Sequence, residues 1–418
     1  MKLATSETIL MNRVLPIFQL IEEVFGRRLT LPLAIRMILL MLLILTPRLT
    51  MADEQDTVNF IAGLSRTLDD NFFRKPSSVG PASETITATN VGVRVDKPYS
   101  MQRLKFEYTL SNISYQNHSP LNFNGNNYKA EWLWSLTPRL TGSISKAKTE
   151  AQYGYLDATY NGKPAISTAE VFNFFADWSP QGNLHFIGGG THTIYKNSSN
   201  FQPDRGNTVD SVDLGIKYEL YPGADMSLME HRRQGEYSNI GNFSPNAFNE
   251  NESEAKINWT LTGKSALSMR AAYVERMHKN TNGLNFSYRD YDGLVGNANF
   301  IWSPTGKLQL VFLASTDIGT FQTNDANYSR TNALSFNPQY ACTEKLLIRA
   351  ALNISERLLE GGPSNRADII KVAGINIDWT PRRYVNIGAN LQKSSRSSNV
   401  SGLDFTDLSS GLTANINF

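Results

Sequence analysis

The sequence is poor in cysteine, in charge and in long apolar runs. Cys342 is the only cysteine among 418 residues, which excludes an internal disulfide framework and a cysteine-based metal cluster. Charged residues make up 19% of the chain, below the usual quarter of a soluble domain. The net charge of +2 argues against a nucleic-acid binder. The mean hydropathy of −0.32 argues against a polytopic helical membrane protein, which needs several runs of about 20 apolar residues.

What the chain does contain is period-two alternation, and Phe405–Phe418 shows it best. One set of alternate side chains is mainly apolar: Leu408, Ser410, Leu412, Ala414, Ile416 and Phe418. The other set is polar or small: Ser409, Gly411, Thr413, Asn415 and Asn417. This pattern predicts a strand with one apolar face. An edge strand of a soluble β protein would look the same, but outer-membrane barrels also finish on such a strand with a terminal Phe.

Residues 1–52 differ from the rest of the chain. A basic segment ends at Arg36, an apolar run covers Met37–Leu45, and Thr50-Met51-Ala52 has a small-x-small pattern. These features predict a signal peptide that is removed after Ala52, although its basic region is long. A membrane anchor is the competing interpretation, but the run is short for a span. Removing six Lys/Arg and three Asp/Glu from totals of 40 and 38 leaves 34 and 35, so the exported part is nearly neutral.

Short turns that follow aromatic residues alternate with longer polar segments along the chain. The predicted turns are Lys97–Tyr99, Trp134–Pro138, Trp178–Pro180, Tyr218–Pro222, Trp259–Gly263, Trp302–Pro304, Pro338–Tyr340 and Trp379–Pro381. The predicted aromatic girdle consists of Trp134, Trp178, Trp259, Trp302, Tyr340 and Trp379. Short periplasmic turns, long extracellular loops and an interfacial aromatic belt are typical of a transmembrane barrel.

Counting the alternating segments predicts an all-β fold, a closed antiparallel transmembrane barrel of about 18 strands over residues 53–418. An even strand count places both ends on one side, and Phe405–Phe418 should pair with the first strand near Thr57–Arg66. A repeat of roughly 40 residues with Trp also suggests a β-propeller. A propeller blade, however, has four short strands, whereas each repeat here has two long ones. A soluble sandwich would leave long exposed edges.

A barrel of this size has room for an aqueous lumen. The charged and amide residues that alternate with apolar ones should face it. The predicted lumen-lining set is Arg103, Lys105, Glu107, Lys129, Glu131, Asp213, Lys217, Glu219, Glu254, Lys256, Arg270, Arg349, Asn376 and Asp378. Such a mixed, hydroxyl- and amide-rich wall suits a hydrated polar solute such as a saccharide. A water-filled interior with little selectivity is the simpler alternative.

No catalytic constellation stands out in the sequence. The five histidines lie on separate segments, and the spacing of His185 and His192 puts them on opposite faces. Gly188-Gly189-Gly190 is not a phosphate loop, because no helix or Lys-Ser/Thr follows. We therefore expect no enzymatic activity, no cofactor and no metal, and treat an outer-membrane hydrolase as a distant alternative that would need a converging Ser, His and carboxylate.

Leu64–Arg74, the Trp-x-Pro turns and the terminal Phe418 resemble the exosortase-associated exopolysaccharide biosynthesis outer-membrane proteins of the EpsL type. The resemblance extends over residues 53–418 and implies an outer-membrane transporter that acts with an extracellular-polysaccharide operon. The long basic region before Met37 departs from the family's usual start. By the same likeness, Phe418 would be the signal for outer-membrane barrel assembly.

The predicted function is export of extracellular polysaccharide through a polar lumen in the outer membrane of a Gram-negative bacterium. Expected partners are outer-membrane lipid, the polysaccharide, the barrel assembly machinery and periplasmic or inner-membrane polysaccharide-export proteins, but no nucleic acid. A general diffusion porin and a structural or adhesin barrel with a plugged lumen are the alternatives.

Overall fold

The computed structural model describes residues 57–152, 154–156, 164–198, 206–238, 247–279, 289–321, 326–362 and 365–418. The predicted signal peptide, residues 1–52, lies outside them. The described chain forms one sheet of 18 antiparallel strands. The strands are β1 (Val58–Asp69), β2 (Glu84–Tyr99), β3 (Gln102–Tyr115), β4 (Phe123–Thr137), β5 (Leu140–Gln152), β6 (Ile166–Trp178), β7 (Leu184–Asn197), β8 (Asn207–Tyr221), β9 (Ala224–Tyr237), β10 (Ala247–Thr262), β11 (Ser265–Lys279), β12 (Tyr291–Trp302), β13 (Leu308–Thr320), β14 (Tyr328–Thr343), β15 (Leu346–Glu360), β16 (Ala367–Arg382), β17 (Val385–Ser398) and β18 (Phe405–Asn417).

Each strand pairs with its neighbours in the sequence, and β18 closes the ring on β1. The register of the closing pair runs from Ile61 opposite Asn417 to Asp69 opposite Ser409. Beyond it, the backbone N–H of Phe418 donates to Phe60 O at 3.0 Å, and their ring centroids lie 5.9 Å apart. The predicted 18-strand barrel and its closing strand are therefore confirmed. Among the described strands, closure leaves no unpaired edge, which a membrane-spanning sheet cannot tolerate.

The strands form because their side chains alternate between two environments. On β8, the exposed fractions of Val212, Leu214 and Ile216 are 60%, 64% and 49%. Asp213 and Lys217, at the alternate positions, make polar contacts with other strands. Strands of 12 to 16 residues exceed the roughly 9–11 residues that cross a bilayer. The strand ends therefore extend beyond the hydrocarbon layer.

Short connections lie at one end of the barrel and long ones at the other, but three predicted turns were wrong. Pro338 lies inside β14, opposite Leu310 of β13, and Pro98 lies inside β2, opposite Arg103. Pro381 lies inside β16, where the pairing with β17 is irregular between Trp379 and Arg382. All three are tolerated because proline only lacks a donor. The pairing of β14 with β15 is interrupted at Pro338, and β2 extends past the last residue paired with β1, Val95.

Two single-turn 3₁₀ helices, Ser77–Val79 and Ser119–Leu121, lie in the long connections after β1 and β3. In the described part of the chain, no helix is long and apolar enough to cross a membrane.

Candidate functional site: the inner wall of the barrel

The two faces of the sheet can be told apart by their contacts. One face carries nearly all of the exposed large apolar side chains, with Leu313 as an exception. On the other face, the guanidinium of Arg396 in β17 donates to Leu156 O at 2.6 Å, across 240 positions of sequence. Only side chains inside a closed barrel can meet residues from a distant part of its wall. The face of Arg396 is therefore the inner face, and the apolar face contacts lipid.

The predicted residues of β3 and β4 lie together on the inner face at the short-turn half of the barrel. Lys105 Nζ and Lys129 Nζ each lie 3.5 Å from a carboxylate oxygen of Glu131. Arg103 is paired with Asp96 and Glu107 with Arg94, both on β2. The five predicted residues thus form a cross-strand group with two partners that the sequence did not single out.

The predicted residues of β8, β10 and β11 belong to a second and larger group. Lys217 Nζ lies 3.3 Å from Asp177 of β6 and 3.7 Å from Glu219. Asp213 contacts His231 Nδ1 at 2.6 Å. Glu254 pairs with Arg270, and Lys256 stands opposite Arg270 in the register.

This second group continues toward the long loops as a chain of alternating charges. Arg233 Nη1 lies 2.6 Å from both Glu250 and Glu252, and Arg276 Nη2 lies 2.6 Å from Glu250. Arg270 links Glu252 to Glu254. We call the inner face of β6–β11 the charged wall. Because each carboxylate in this series contacts a guanidinium, the charges compensate one another across three strands, β9, β10 and β11.

Arg349, Asn376 and Asp378 lie apart from both groups, on β15 and β16. Arg349 stands opposite Asn376 and donates to the carboxylate of Asp378. The predicted inner residues therefore do not converge on one point. They are distributed around the ring as separate groups.

A third set of residues, which the sequence did not indicate, packs at the long-loop end. Phe73, Tyr115, Leu121 and Tyr155 are buried together, and the ring centroids of Phe73 and Tyr155 lie 4.9 Å apart. These residues come from β3 and from the connections that follow β1, β3 and β5. We call them the mouth cluster.

The mouth cluster is held to the wall by polar contacts at two places. His118 Nδ1 lies 2.7 Å from Glu84, whose side chain is buried, and the backbone N–H of Asn117 donates to the same carboxylate at 2.9 Å. Leu156, next to Tyr155, accepts the hydrogen bond from Arg396. The connection after β5 therefore reaches the wall at β17, six strands away around the ring, and covers part of the opening.

The predicted girdle residues lie at the short-turn end, on the outward face. Trp178, Trp259, Trp302, Tyr340 and Trp379 are between 40% and 51% exposed. Trp134 differs because only 9% of it is exposed. Its indole lies over Gly142 and stacks on Phe174 with ring centroids 6.3 Å apart. A role of this belt at the membrane interface stays a prediction.

One group could be considered for metal binding and one for nucleophilic catalysis. His231, Glu252 and Glu254 offer ligand atoms within 4.8 Å of one another, but both carboxylates are already bonded to arginines, which does not suit a cation. Ser211 donates to Asp213 at 2.7 Å, the carboxylate that also contacts His231. A serine nucleophile needs the imidazole, rather than the carboxylate, as its partner.

Comparisons with known proteins agree with this architecture. A family model described as "Putative beta-barrel porin 2" matches residues 285–418. The outer-membrane protein OpdK of Pseudomonas aeruginosa is similar in structure, with a TM-score of 0.52 and 10% identity over 86% of this chain and 99% of that chain.

Two further solved structures from Pseudomonas aeruginosa are similar. OpdK with vanillate has a TM-score of 0.51 and 10% identity, over 86% of this chain and 99% of that one. OccK9 (OpdG) has a TM-score of 0.51 and 10% identity, over 86% and 98%. Identities this low show a shared fold. No curated protein matches the sequence. A closed barrel with an apolar outer face, similar to these proteins, places the chain in the outer membrane of a Gram-negative bacterium.

Proposed function

We propose that this chain is a passive channel that lets small hydrophilic solutes diffuse across the outer membrane. The observation that carries the proposal is a closed ring of 18 strands whose inner face is polar and charged. Barrels of 16–18 strands leave an aqueous channel, whereas eight-stranded ones are filled by side chains. The match to a porin family over the last seven strands supports the same function.

The mouth cluster gives this channel a narrowed entrance at the long-loop end. Tyr155 and Phe73 are only 7% exposed, because they pack against each other with ring centroids 4.9 Å apart. The contact of Leu156 with Arg396 spans six strands of the ring. Solutes would then pass between the mouth cluster and the charged wall, and a small solute would pass more readily than a polymer.

Export of extracellular polysaccharide is the narrower proposal, and it rests on the sequence resemblance alone. The porin family match and the similar structures favour the general porin alternative over export. Polysaccharide, export proteins and the barrel assembly machinery accordingly stay proposed partners. A deletion strain that secretes a normal amount of polymer would remove the export role. A structural or adhesin role, with a plugged lumen, is the remaining alternative.

Planar-bilayer conductance of the purified, reconstituted full chain tests the channel. We expect stable single-channel steps in KCl and, in liposome swelling, faster uptake of monosaccharides than of hexasaccharides. Detergent-treated vesicles without protein serve as the control. A heat-dependent shift in electrophoretic mobility shows that the barrel is correctly folded. If such a folded barrel gives no conductance, the channel proposal is contradicted and the structural role is favoured.

A further inference from the structure

The inner wall opposite the charged wall has a different chemistry. β9, at the centre of the charged wall, lies nine strands from β18 in either direction, which is half of the 18-strand ring. Around β18, the inward positions of the middle rows carry amides, hydroxyls and glycines. We call this surface the amide trough, and its side chains are Asn90, Asn376, Asn390, Gln392, Thr413 and Asn415.

Glycines shape the trough, because three of its polar side chains lie flat over them. Asn415 Oδ1 lies 2.6 Å from the position that a Cβ atom on Gly63 would occupy, and Asn390 Oδ1 lies 2.5 Å from the corresponding position on Gly411. Thr413 covers Gly388 in the same way. A side chain at any of these glycines would push the polar group into the lumen. The glycines therefore keep a shallow, polar depression in the wall.

The amides of the trough have unused hydrogen-bonding capacity. Among the described residues, the side chains of Asn90, Asn376, Asn390, Gln392 and Asn415 have no protein hydrogen-bond partner, and all are at least partly exposed. Each amide offers two donors and an acceptor with two lone pairs. These groups are therefore free to exchange bound water for a ligand. The charged wall has used most of its groups on internal ion pairs.

The registers bring these groups onto neighbouring strands. Asn376 of β16 stands opposite Asn390 of β17, which stands opposite Gly411 of β18. A second row joins Asn415 of β18 through Gly63 of β1 to Asn90 of β2. Directly opposed positions in a sheet are about 4.5–5.5 Å apart. Within each row, this spacing lets one solute with several hydroxyl groups bond to neighbouring strands. The two rows lie four residues apart along β18, at Gly411 and Asn415, which is about 13 Å, so an oligosaccharide is needed to bond to both.

The lack of unpaired charge in the two rows of the trough defines the class of ligand. The nearest inward charges, Asp378 and Arg349, are bonded to each other, so the rows contain no free cation for a carboxylate or phosphate. Amides both donate and accept, as hydroxyl groups do, whereas an anion can use only the donors. No aromatic ring belongs to the trough, so recognition depends on hydrogen bonds.

We propose that the amide trough is a binding subsite for neutral, polyhydroxylated solutes of the saccharide type. The proposal rests on the channel function, since it assigns a substrate class to one side of the same lumen. A solute held there would be guided along β16–β2 while ions follow the charged wall.

Current block by maltohexaose in planar bilayers tests this subsite. We expect a concentration-dependent block of the wild-type channel. Replacing both Asn390 and Asn415 by Leu keeps the branching of the side chain at Cγ and removes the amides. This double variant should raise the Kd about tenfold, because two or more hydrogen bonds are lost. The matched control is Asn337→Leu, on the inner face of β14 outside the trough, with a Kd within about twofold of wild type.

Each outcome decides a separate point. The subsite is overturned if the channel conducts but maltohexaose does not block it. It is also overturned if the control variant weakens maltohexaose binding as much as the double variant does. Either result leaves the channel function intact. Tighter binding of an anionic hexauronate than of maltohexaose overturns the neutral class. If the protein does not conduct, calorimetric titration of the solubilised barrel with maltohexaose still tests the trough, while the channel function fails. Asn390→Ala replaces the double variant if that barrel does not fold.

Discussion

The charged wall and the amide trough face each other across one lumen, and they use the same strand pattern for opposite purposes. On the charged wall, long side chains such as Arg233 and Arg270 satisfy one another through shared carboxylates. On the trough, short amides such as Asn390 lie over glycine and have no protein partner within the described residues. Where the polar side chains of a wall are bonded to one another, the wall is rigid and acts on a solute through its electrostatic potential. Where they are not, the side chains can form hydrogen bonds with the solute.

This difference teaches that the number of polar residues in a lumen is a poor guide to what it binds. Most charged inner residues are committed to neighbours, so their effect on a solute is a summed potential. The few uncommitted groups decide which solute is held. The two walls can therefore be disturbed separately by substitution or by salt.

Deleting Phe418 should have the largest effect, because the seam between β18 and β1 runs through the trough. The deletion removes the backbone hydrogen bonds with Phe60 and the contact of the two rings. Two such bonds contribute about 2 kcal/mol to closure, so we expect at least a tenfold loss of heat-modifiable barrel in the outer membrane, with normal secretion across the inner membrane.

The control for the seam is Phe418→Leu, which keeps the backbone hydrogen bonds and should retain most of the barrel. A deletion variant that assembles as much heat-modifiable barrel as the wild type would show that the ring closes without this residue. The assembly role of Phe418 would then be wrong, and the trough would not depend on the last pair of the seam.

Glu252→Gln should have the next largest effect, and it acts only on the charged wall. The carboxylate is buried, with 4% of the residue exposed, and it contacts both Arg233 and Arg270. Removing its charge leaves two guanidiniums undercompensated, which costs about 3 kcal/mol of unfolding free energy for a buried pair. We expect the reversal potential in a KCl gradient to shift toward chloride, with maltohexaose block unchanged.

Glu107→Gln provides the matched control for this substitution. Its partner Arg94 is about half exposed, and the pair is open to solvent, so the expected cost is below about 1 kcal/mol. The free energy of unfolding of both variants is measured in urea. Equal losses would mean that an ion pair of the charged wall contributes no more to stability than an isolated, exposed pair. A changed maltohexaose Kd in Glu252→Gln would show that the walls are not independent.

Much of the fold could be predicted from the sequence, because alternation is a local property. The strand over Phe405–Phe418 has its apolar and polar sets in the order that the structure uses, and the closing partner near Thr57–Arg66 follows from an even strand count. The predicted turns at Pro98, Pro338 and Pro381 lie too early in the chain. Proline favours turns, but each of these prolines occupies a strand position where a donor is not required.

The site was less predictable, because it depends on which side chains meet across strands. Glu250 and Glu252 are absent from the predicted lumen-lining set, although Glu250, Glu252 and Glu254 alternate as in a strand. The mouth cluster depends on Tyr155 reaching Phe73 across two connections, and no local pattern indicates such a contact. The trough needs Gly63 and Gly411 beside amides of other strands, which only the register reveals.

Salt should have the smallest effect and should separate the two walls most directly. The Debye length falls from about 10 Å in 0.1 M salt to about 3 Å in 1 M, so the potential of the charged wall is largely screened at the higher concentration. We expect the ratio of cation to anion permeability to approach that of free diffusion between 0.1 and 1 M KCl. Binding of maltohexaose to the trough involves no net charge, so its Kd should stay within about twofold over the same range.

Blocking measured at both concentrations on one channel preparation provides its own control. A Kd that changes in parallel with the permeability ratio would mean that the solute binds through the field of the charged wall, and the amides of β16–β2 would then not be its binding site.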